Sequence, residues 1–219
     1  MFRTFLVLVV LAATCSGAAL AGNSRDTSGA RQANLKFASL TRAKAAGYGE
    51  LLDAKKIACI AMPGTGAMGI HYVKGTLVGD ATVNALKPEA LVYEPQADGS
   101  AKLVALEYVV FKAPWDAAHA NDPANFPEMP TLFGQDFMEV PAVPGNNGNT
   151  IFDIPPFYML HVWIWNSNPS GLFFPWNPSV SCAGASAAAG STVAAASASA
   201  TLTAADVARY ACRVRGATA

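Results

Sequence analysis

The chain has 219 residues, 15 Lys and Arg against 15 Asp and Glu, three histidines and 52% hydrophobic residues. A neutral chain without a basic stripe lacks the electrostatic footprint of a nucleic-acid binder and of a polybasic membrane anchor. Val, Leu, Ile, Phe, Tyr and Trp between the two ends suffice for the core of one domain of ordinary size.

The N-terminus reads as an export signal. Arg3 supplies a positive start, an apolar run follows from Phe5 to Ala13, and Ala19-Leu20-Ala21 forms an A-x-A cleavage pattern. The expected cut falls after Ala21 and removes Arg3 as its only charge, leaving one acidic residue in excess. The apolar run is shorter than the about 20 residues a membrane span needs. A lipoprotein acylated at Cys15 is the rival; the bulky Thr14 before that cysteine speaks against it. The expected address is secreted or periplasmic, with no membrane association after cleavage.

Residues 22–32 are small and polar and are expected to be flexible. A helix should follow, capped by Asn34, with Leu35, Phe37, Ala38, Leu40 and Ala43 on its apolar stripe and Gly47 as its stop. Apolar runs at 57–62, 70–73, 90–93 and 102–111 read as strands, and Asp98-Gly99 between the last two signals a hairpin. Residues 113–150 are rich in Pro, Asn, Asp and Gly and read mostly as loop, with Leu132-Phe133 and Phe137-Met138 packing onto the body. A last strand over 157–165 precedes a turn-rich segment at 166–182. Residues 183–203 are almost all Ala, Ser, Gly and Thr, and 204–214 could close the chain as a short helix capped by Thr203.

Strands dominate without strand-helix alternation, so a parallel sheet with crossover helices is disfavoured. The expected fold is a β-rich α+β domain, its antiparallel sheet curled into a barrel-like form with one packed N-terminal helix. The expected organisation is a signal peptide at 1–21, a flexible segment at 22–32, one globular domain at 33–182 and an Ala/Ser-rich tail at 183–219.

Three cysteines remain after cleavage, which an oxidising compartment would turn into one disulfide and one thiol. Of the three pairings, Cys59 with Cys182 is favoured because these residues bracket the well-patterned region; Cys182 with Cys212, pinning the tail, is the main rival. On the chain-entropy account, a loop from 59 to 182 contributes about 4 to 5 kcal/mol.

Gly64-Thr65-Gly66-Ala67-Met68-Gly69 matches the dinucleotide fingerprint, but the third glycine must open a helix that receives the pyrophosphate. Here a strand pattern follows, so the glycines read as sites of positive φ or close backbone approach.

The unusual polar residues lie inside apolar strands. His71 follows the glycine loop, Glu107 sits mid-strand on a face with Leu103, Ala105, Val109 and Phe111, and His161 shares a face with Phe157, Met159, Trp163 and Trp165. A carboxylate in such a place is costly unless it is paired, hydrogen-bonded or bound to metal. Two histidines and a glutamate suit a divalent metal ion or an acid/base centre. They equally suit a buried glutamate neutralised by a histidine, and their wide spacing favours no metal motif. Trp163, Trp165, Phe173, Phe174 and Trp176 read first as core, and alternatively as the wall of a pocket for a small apolar or aromatic ligand. Glu89, Glu94 and His119 are expected in water. No serine or cysteine has the context of a nucleophile.

Taken together, the residues suggest a small-ligand-binding protein with an aromatic-lined cavity, His71, Glu107, His161, Trp163 and Trp165 being its ligand contacts. The alternatives are a metal- or acid/base-dependent enzyme built on the His/Glu/His set and a structural or surface-associated protein without a small-molecule site.

Several runs carry a resemblance: MGIHYV at 68–73, PEALVYEP at 88–95, LEY at 106–108, PTLFG at 130–134, LHVWIW at 160–165, NPSG at 168–171 and WNPSVSC at 176–182. Over residues 33–182 the chain resembles a family of exported bacterial proteins to which no activity is attached. The resemblance thus implies export and a shared domain but no chemistry, and the tail from Ala183 departs from it.

Overall fold

The structure is a computed structural model that describes residues 24–120, 129–141 and 152–185. The expected signal peptide, Cys15, Cys212 and the tail beyond Ala185, with the short helix expected at 204–214, lie outside the described residues. Among the described residues, no helix is long and apolar enough to cross a membrane.

The N-terminal segment differs from the expected flexible stretch and single helix. Helix α1 (Ser24–Asn34) passes into a 3-10 turn (Leu35–Ala38), α2 (Leu40–Ala45) follows, and a one-turn α3 (Gly75–Val78) comes later in the chain. The break falls at Ser39, whose extended backbone lets its hydroxyl accept from the Arg42 N–H and cap α2. Asn34 is not a cap. It is buried at the end of α1 and donates to the carbonyls of Ala30 and Leu86, tying α1 to the loop before the central strands.

The strands are β1 (Gly49–Glu50), β2 (Cys59–Met62), β3 (Gly66–Val73), β4 (Ala90–Pro95), β5 (Ala101–Phe111), β6 (Thr131–Leu132), β7 (Gln135–Asp136), β8 (Met138–Val140) and β9 (Phe157–Val162). One antiparallel sheet has the order β1-β3-β4-β5-β9-β8, with β2 sharing the outer edge of β3 with β1. The fold is therefore β-rich α+β, but the sheet is open: among the described residues β8 does not pair with β1 or β2, so the expected barrel-like closure is absent. Asp98-Gly99 does turn the β4–β5 hairpin, with Gly99 at φ 81° and the Asp98 carboxylate accepting from the Ser100 N–H.

The stretch expected to be loop after residue 113 carries α4 (Lys112–His119), the β6–β7 hairpin and β8. Pro114 lies in the first turn of α4, where its missing N–H removes no helical bond, and Lys112 pairs with Asp116 one turn on. Phe133 and Gly134 both have positive φ, as a two-residue hairpin turn requires. For Phe133 that backbone costs about 1 to 2 kcal/mol. Its burial against Tyr108, at a ring distance of 5.6 Å, offsets this.

The two faces of the sheet have different covers. Ile70, Tyr72, Leu91, Tyr93, Leu106, Tyr108, Leu160 and Val162 pack with Phe37, Ala43 and Tyr48 of the N-terminal segment and with Phe133 and Phe137. On the opposite face Met68, Met159, Val92 and Ala105 pack beneath Trp163, Phe174, Trp176 and Val180. A bulge in β5 sets Tyr93 opposite Leu103 while Val92 faces Ala105. Leu103 thereby joins the helical side instead of sharing the face of Glu107, as simple alternation would have it.

Candidate functional site

The register of three strands gathers the unusual polar residues. Glu107 on β5 lies directly opposite His161 on β9, and across β4 it faces Ala90; His71 on β3 faces Val92, two positions further along. All three side chains therefore project from one face, on neighbouring rungs.

His71 Nε2 is 3.3 Å from Glu107 Oε2, and His161 Nδ1 is 3.9 Å from Glu107 Oε1. One ligand atom from each residue lies within 4.8 Å of the others. The rings of His71 and His161 meet edge to face at 6.0 Å. Exposure is 3% for His71, 7% for Glu107 and 0% for His161. Both nitrogens of His161 are buried without a hydrogen-bond partner. His71 Nδ1 is likewise unpartnered by hydrogen-bond geometry, although the nearby Gly69 backbone favours the protonated ring and offsets part of its burial.

Burial sets the charge state. It pushes the Glu107 carboxyl up to about 8 and His71 down to about 4. His161 is driven well below its usual value by burial and then by the neighbouring His71. At neutral pH the metal-free cluster holds a protonated carboxyl beside two neutral imidazoles. Lone pairs on neutral imidazoles are what a metal ion takes, and a cation would compensate the burial of a Glu107 carboxylate.

Trp163 belongs to this site: its ring lies 4.5 Å from that of His161, and its Nε1 donates to the Phe174 carbonyl at 2.6 Å. Trp165 does not. The strand ends at Val162, Trp163 turns to pair with the Leu172 carbonyl, and Trp165 packs against the core of the opposite face beneath Arg31. The aromatic set divides likewise, Phe173 going with Trp165 while Phe174 and Trp176 stay with Trp163. A cavity of about 410 Å³ opens elsewhere, lined by Phe111, Lys112, Ala113, Pro114, Pro155 and Pro156 at the far end of β5.

The other polar residues differ from their expected exposure. Glu89 is 2% exposed, accepts from the Val109 N–H and is held protonated by burial up to about 8. It lies on the helical side near Tyr48 and Tyr108, whose phenols its charge would oppose. Glu94 is half-buried and accepts from the Ser181 N–H. His119 is half-buried and stacks on Trp115 at 3.9 Å, its Nδ1 being 2.7 Å from the Trp115 carbonyl.

The Cys59–Cys182 disulfide is formed, with Cα atoms 5.7 Å apart. The glycine-rich run is strand from Gly66 onward, which removes the helix a dinucleotide site needs. Its glycines permit close approach: at Gly69 (φ 110°) a Cβ would lie 2.6 Å from the Tyr93 carbonyl oxygen, and at Gly66 (φ 133°) 2.6 Å from the Pro178 nitrogen. Asn177, which the sequence did not single out as a contact, pairs with Ala67 through two backbone hydrogen bonds. Its clue is the Asn-Pro step, a turn signal.

No protein family, curated protein or solved structure gives a match to this chain.

Proposed function

We propose that the protein binds a small ligand, and that this ligand is a single divalent transition-metal ion held by His71, Glu107 and His161. The observation that carries the reading is the convergence of three buried side chains within 4.8 Å, with histidine nitrogens that no protein group satisfies. Buried polar atoms in folded proteins are nearly always paired, so three orphans at one point mark a position for something besides protein. Ligand atoms at about 2.0 to 2.1 Å from a tetrahedral ion are about 3.4 Å apart. The histidines stand 3.3 and 3.9 Å from different oxygens of Glu107, and the set, spread within 4.8 Å, would draw together around an ion. Two imidazoles and a carboxylate suit zinc or a neighbouring first-row ion and leave a coordination position open.

Trp163 serves as an apolar wall on His161, in place of the aromatic cavity that included Trp165. Export outside the cytoplasm belongs to the same reading and is supported by the disulfide, a bond that persists in oxidising compartments.

Metal analysis of the purified chain, followed by zinc titration calorimetry of the stripped protein, tests the proposal. One equivalent is expected to bind to the native chain and none to His71→Ala or His161→Ala. Equal binding by native and variant chains would refute it.

A second reading rests on the pairing of a protonated Glu107 with a neutral His71 at 3.3 Å, a proton donor beside an acceptor. It makes the cluster an acid/base centre, and zinc binding that depends on both histidines decides against it.

A further inference from the structure

The segment that covers the cluster is fastened in an unusual way. After β9 the chain crosses the His/Glu/His face from Trp163 to Val180. Trp163 lies on His161, and Val180 packs with Val92 and Ala105, the neighbours of His71 and Glu107 on that face. Internal bonds keep this strap compact: Asn168 Nδ2 donates to the carbonyls of Phe174 and Trp176, and Asn177 Nδ2 to that of Ser167.

Its far end enters the sheet. β4 pairs with β3 only over residues 70–73 of β3, and at Ala67 the strap's Asn177 takes a strand's place, while β2 holds the other edge through Ala61. Gly66 makes room for this passage, since a side chain there would meet Asn177 and Pro178. Beyond it Glu94 holds Ser181, and Cys182 is bonded to Cys59 of β2. Cys59 is buried on the helical side, whereas Cys182 is half-buried and touches the clusters of both faces. The strap is thus threaded from the face of the cluster to the edge of the sheet. Among the described residues the disulfide is a covalent part of this fastening, alongside these hydrogen bonds and the packing of Phe174, Trp176 and Val180.

We propose that Cys59–Cys182 is a latch on the ion site: a dithiol reductant opens it, the strap lifts from His161, and the ion exchanges. This rests on the reading of the cluster as an ion site. In the step, one thiolate of the dithiol attacks Sγ of Cys182 and breaks its bond to Cys59. The second thiolate then displaces Cys182 from the mixed disulfide. The protein gains two electrons and two protons as two thiols, and the reductant leaves as its own disulfide.

Two measurements on the full chain test the latch. In the metal-free protein, acylation of histidines by diethyl pyrocarbonate is followed residue by residue by mass spectrometry, with His119 as internal reference. In the zinc-loaded protein, release to a chelator is timed. Reduction, or the double variant Cys59→Ser with Cys182→Ser, is expected to raise both the His161 acylation rate and the zinc release rate by at least about tenfold, as local opening of a cover would. Amide-exchange protection in β4 and β5 is expected to persist. Asn177→Ala, with the disulfide intact, gives a smaller rise in the same readouts. Unchanged His161 acylation on reduction overturns the latch, whether or not zinc is retained. Loss of protection throughout β4 and β5 overturns it too, because the disulfide then holds the sheet and not the strap. Faster acylation with no zinc retained in either state supports the latch and refutes the ion reading alone.

Discussion

The two faces of the central sheet differ in how their buried polar groups are gathered and satisfied. On the helical face the phenols are satisfied by the chain itself: Tyr48 donates to Pro88, Tyr93 to Phe37 and Tyr108 to Ala85, at 2.8, 2.6 and 2.7 Å. Glu89 on that side accepts from Val109. On the strap face His71 and His161 keep three nitrogens without partners. Both faces bury polar atoms to a similar degree, so burial does not separate them. Convergence does: on the helical side Trp165 Nε1 is also buried without a hydrogen-bond partner but stands alone, whereas the unpartnered histidine nitrogens meet beside a carboxyl at one point, available to a ligand.

The largest test of that contrast is truncation on the helical face. Tyr93→Ala removes a fully buried ring and the bond to Phe37 that holds the 3-10 turn, and should destabilise the metal-free protein by about 3 to 5 kcal/mol in urea unfolding. The strap face should answer to metal instead. Zinc at a hundred times its dissociation constant should add about 2.7 kcal/mol to the native chain and nothing to Glu107→Ala. If zinc stabilises both equally, the two faces do not differ as argued.

The two buried carboxyls sharpen the comparison through pH. Burial holds Glu89 and Glu107 protonated up to about 8, whereas unfolded glutamates titrate near about 4.3. The folded chain therefore binds more protons between those values. Each carboxyl contributes stability that is complete below about pH 4.3 and is lost as pH rises through about 8. His71, lowered to about 4, acts in the opposite direction: its contribution is present above about pH 6.5 and is lost as pH falls through 4. His161 follows the same sign. The two effects oppose one another from about pH 4.3 to 6.5. Above that only the carboxyls remain, so metal-free stability should decline toward pH 8 by on the order of 1 kcal/mol per pH unit for each. Unfolding curves across this range check it. Glu89→Gln and Glu107→Gln should each remove one share of the decline, yet only Glu107→Gln should abolish the zinc increment. That increment itself should grow with pH, since ligation needs the carboxylate.

Much of the strap face was legible in the sequence, because a charged or imidazole residue inside an apolar strand stands out against the period of two. Alternation assigned Glu107 and His161 each to a face of its own strand, the register then setting them opposite one another, and the cysteines bracketing the patterned region pointed to the disulfide. Where reading failed, the cause was tertiary. Trp165 follows the alternation of β9 in sequence, but the strand stops at Val162 and the chain turns. Leu103 changes face because a bulge inserts one residue, and Glu89 is buried beside Tyr48 and Tyr108, a neighbourhood that only the folded chain assembles. The Pro- and Asn-rich stretch concealed α4, since composition does not distinguish a proline in a first helical turn from one in a loop. Barrel closure was an inference from the dominance of strands without strand-helix alternation, and edge pairing cannot be read from single strands.

The smallest effect is the most direct comparison of the two faces, because it removes a polar group from each with little change of shape. Tyr108→Phe deletes a hydroxyl that the Ala85 carbonyl needs, and should cost about 1 kcal/mol. His161→Leu deletes two nitrogens that no protein group satisfies, on a side chain that is fully buried. Replacing unsatisfied polar atoms by apolar ones of similar size relieves a desolvation penalty, so metal-free His161→Leu should be at least as stable as the native chain. Paired denaturation curves of the two variants, measured without metal, decide it. A loss at His161 as large as at Tyr108 would mean that the histidine is scaffold after all, and the contrast between the faces would fall with it.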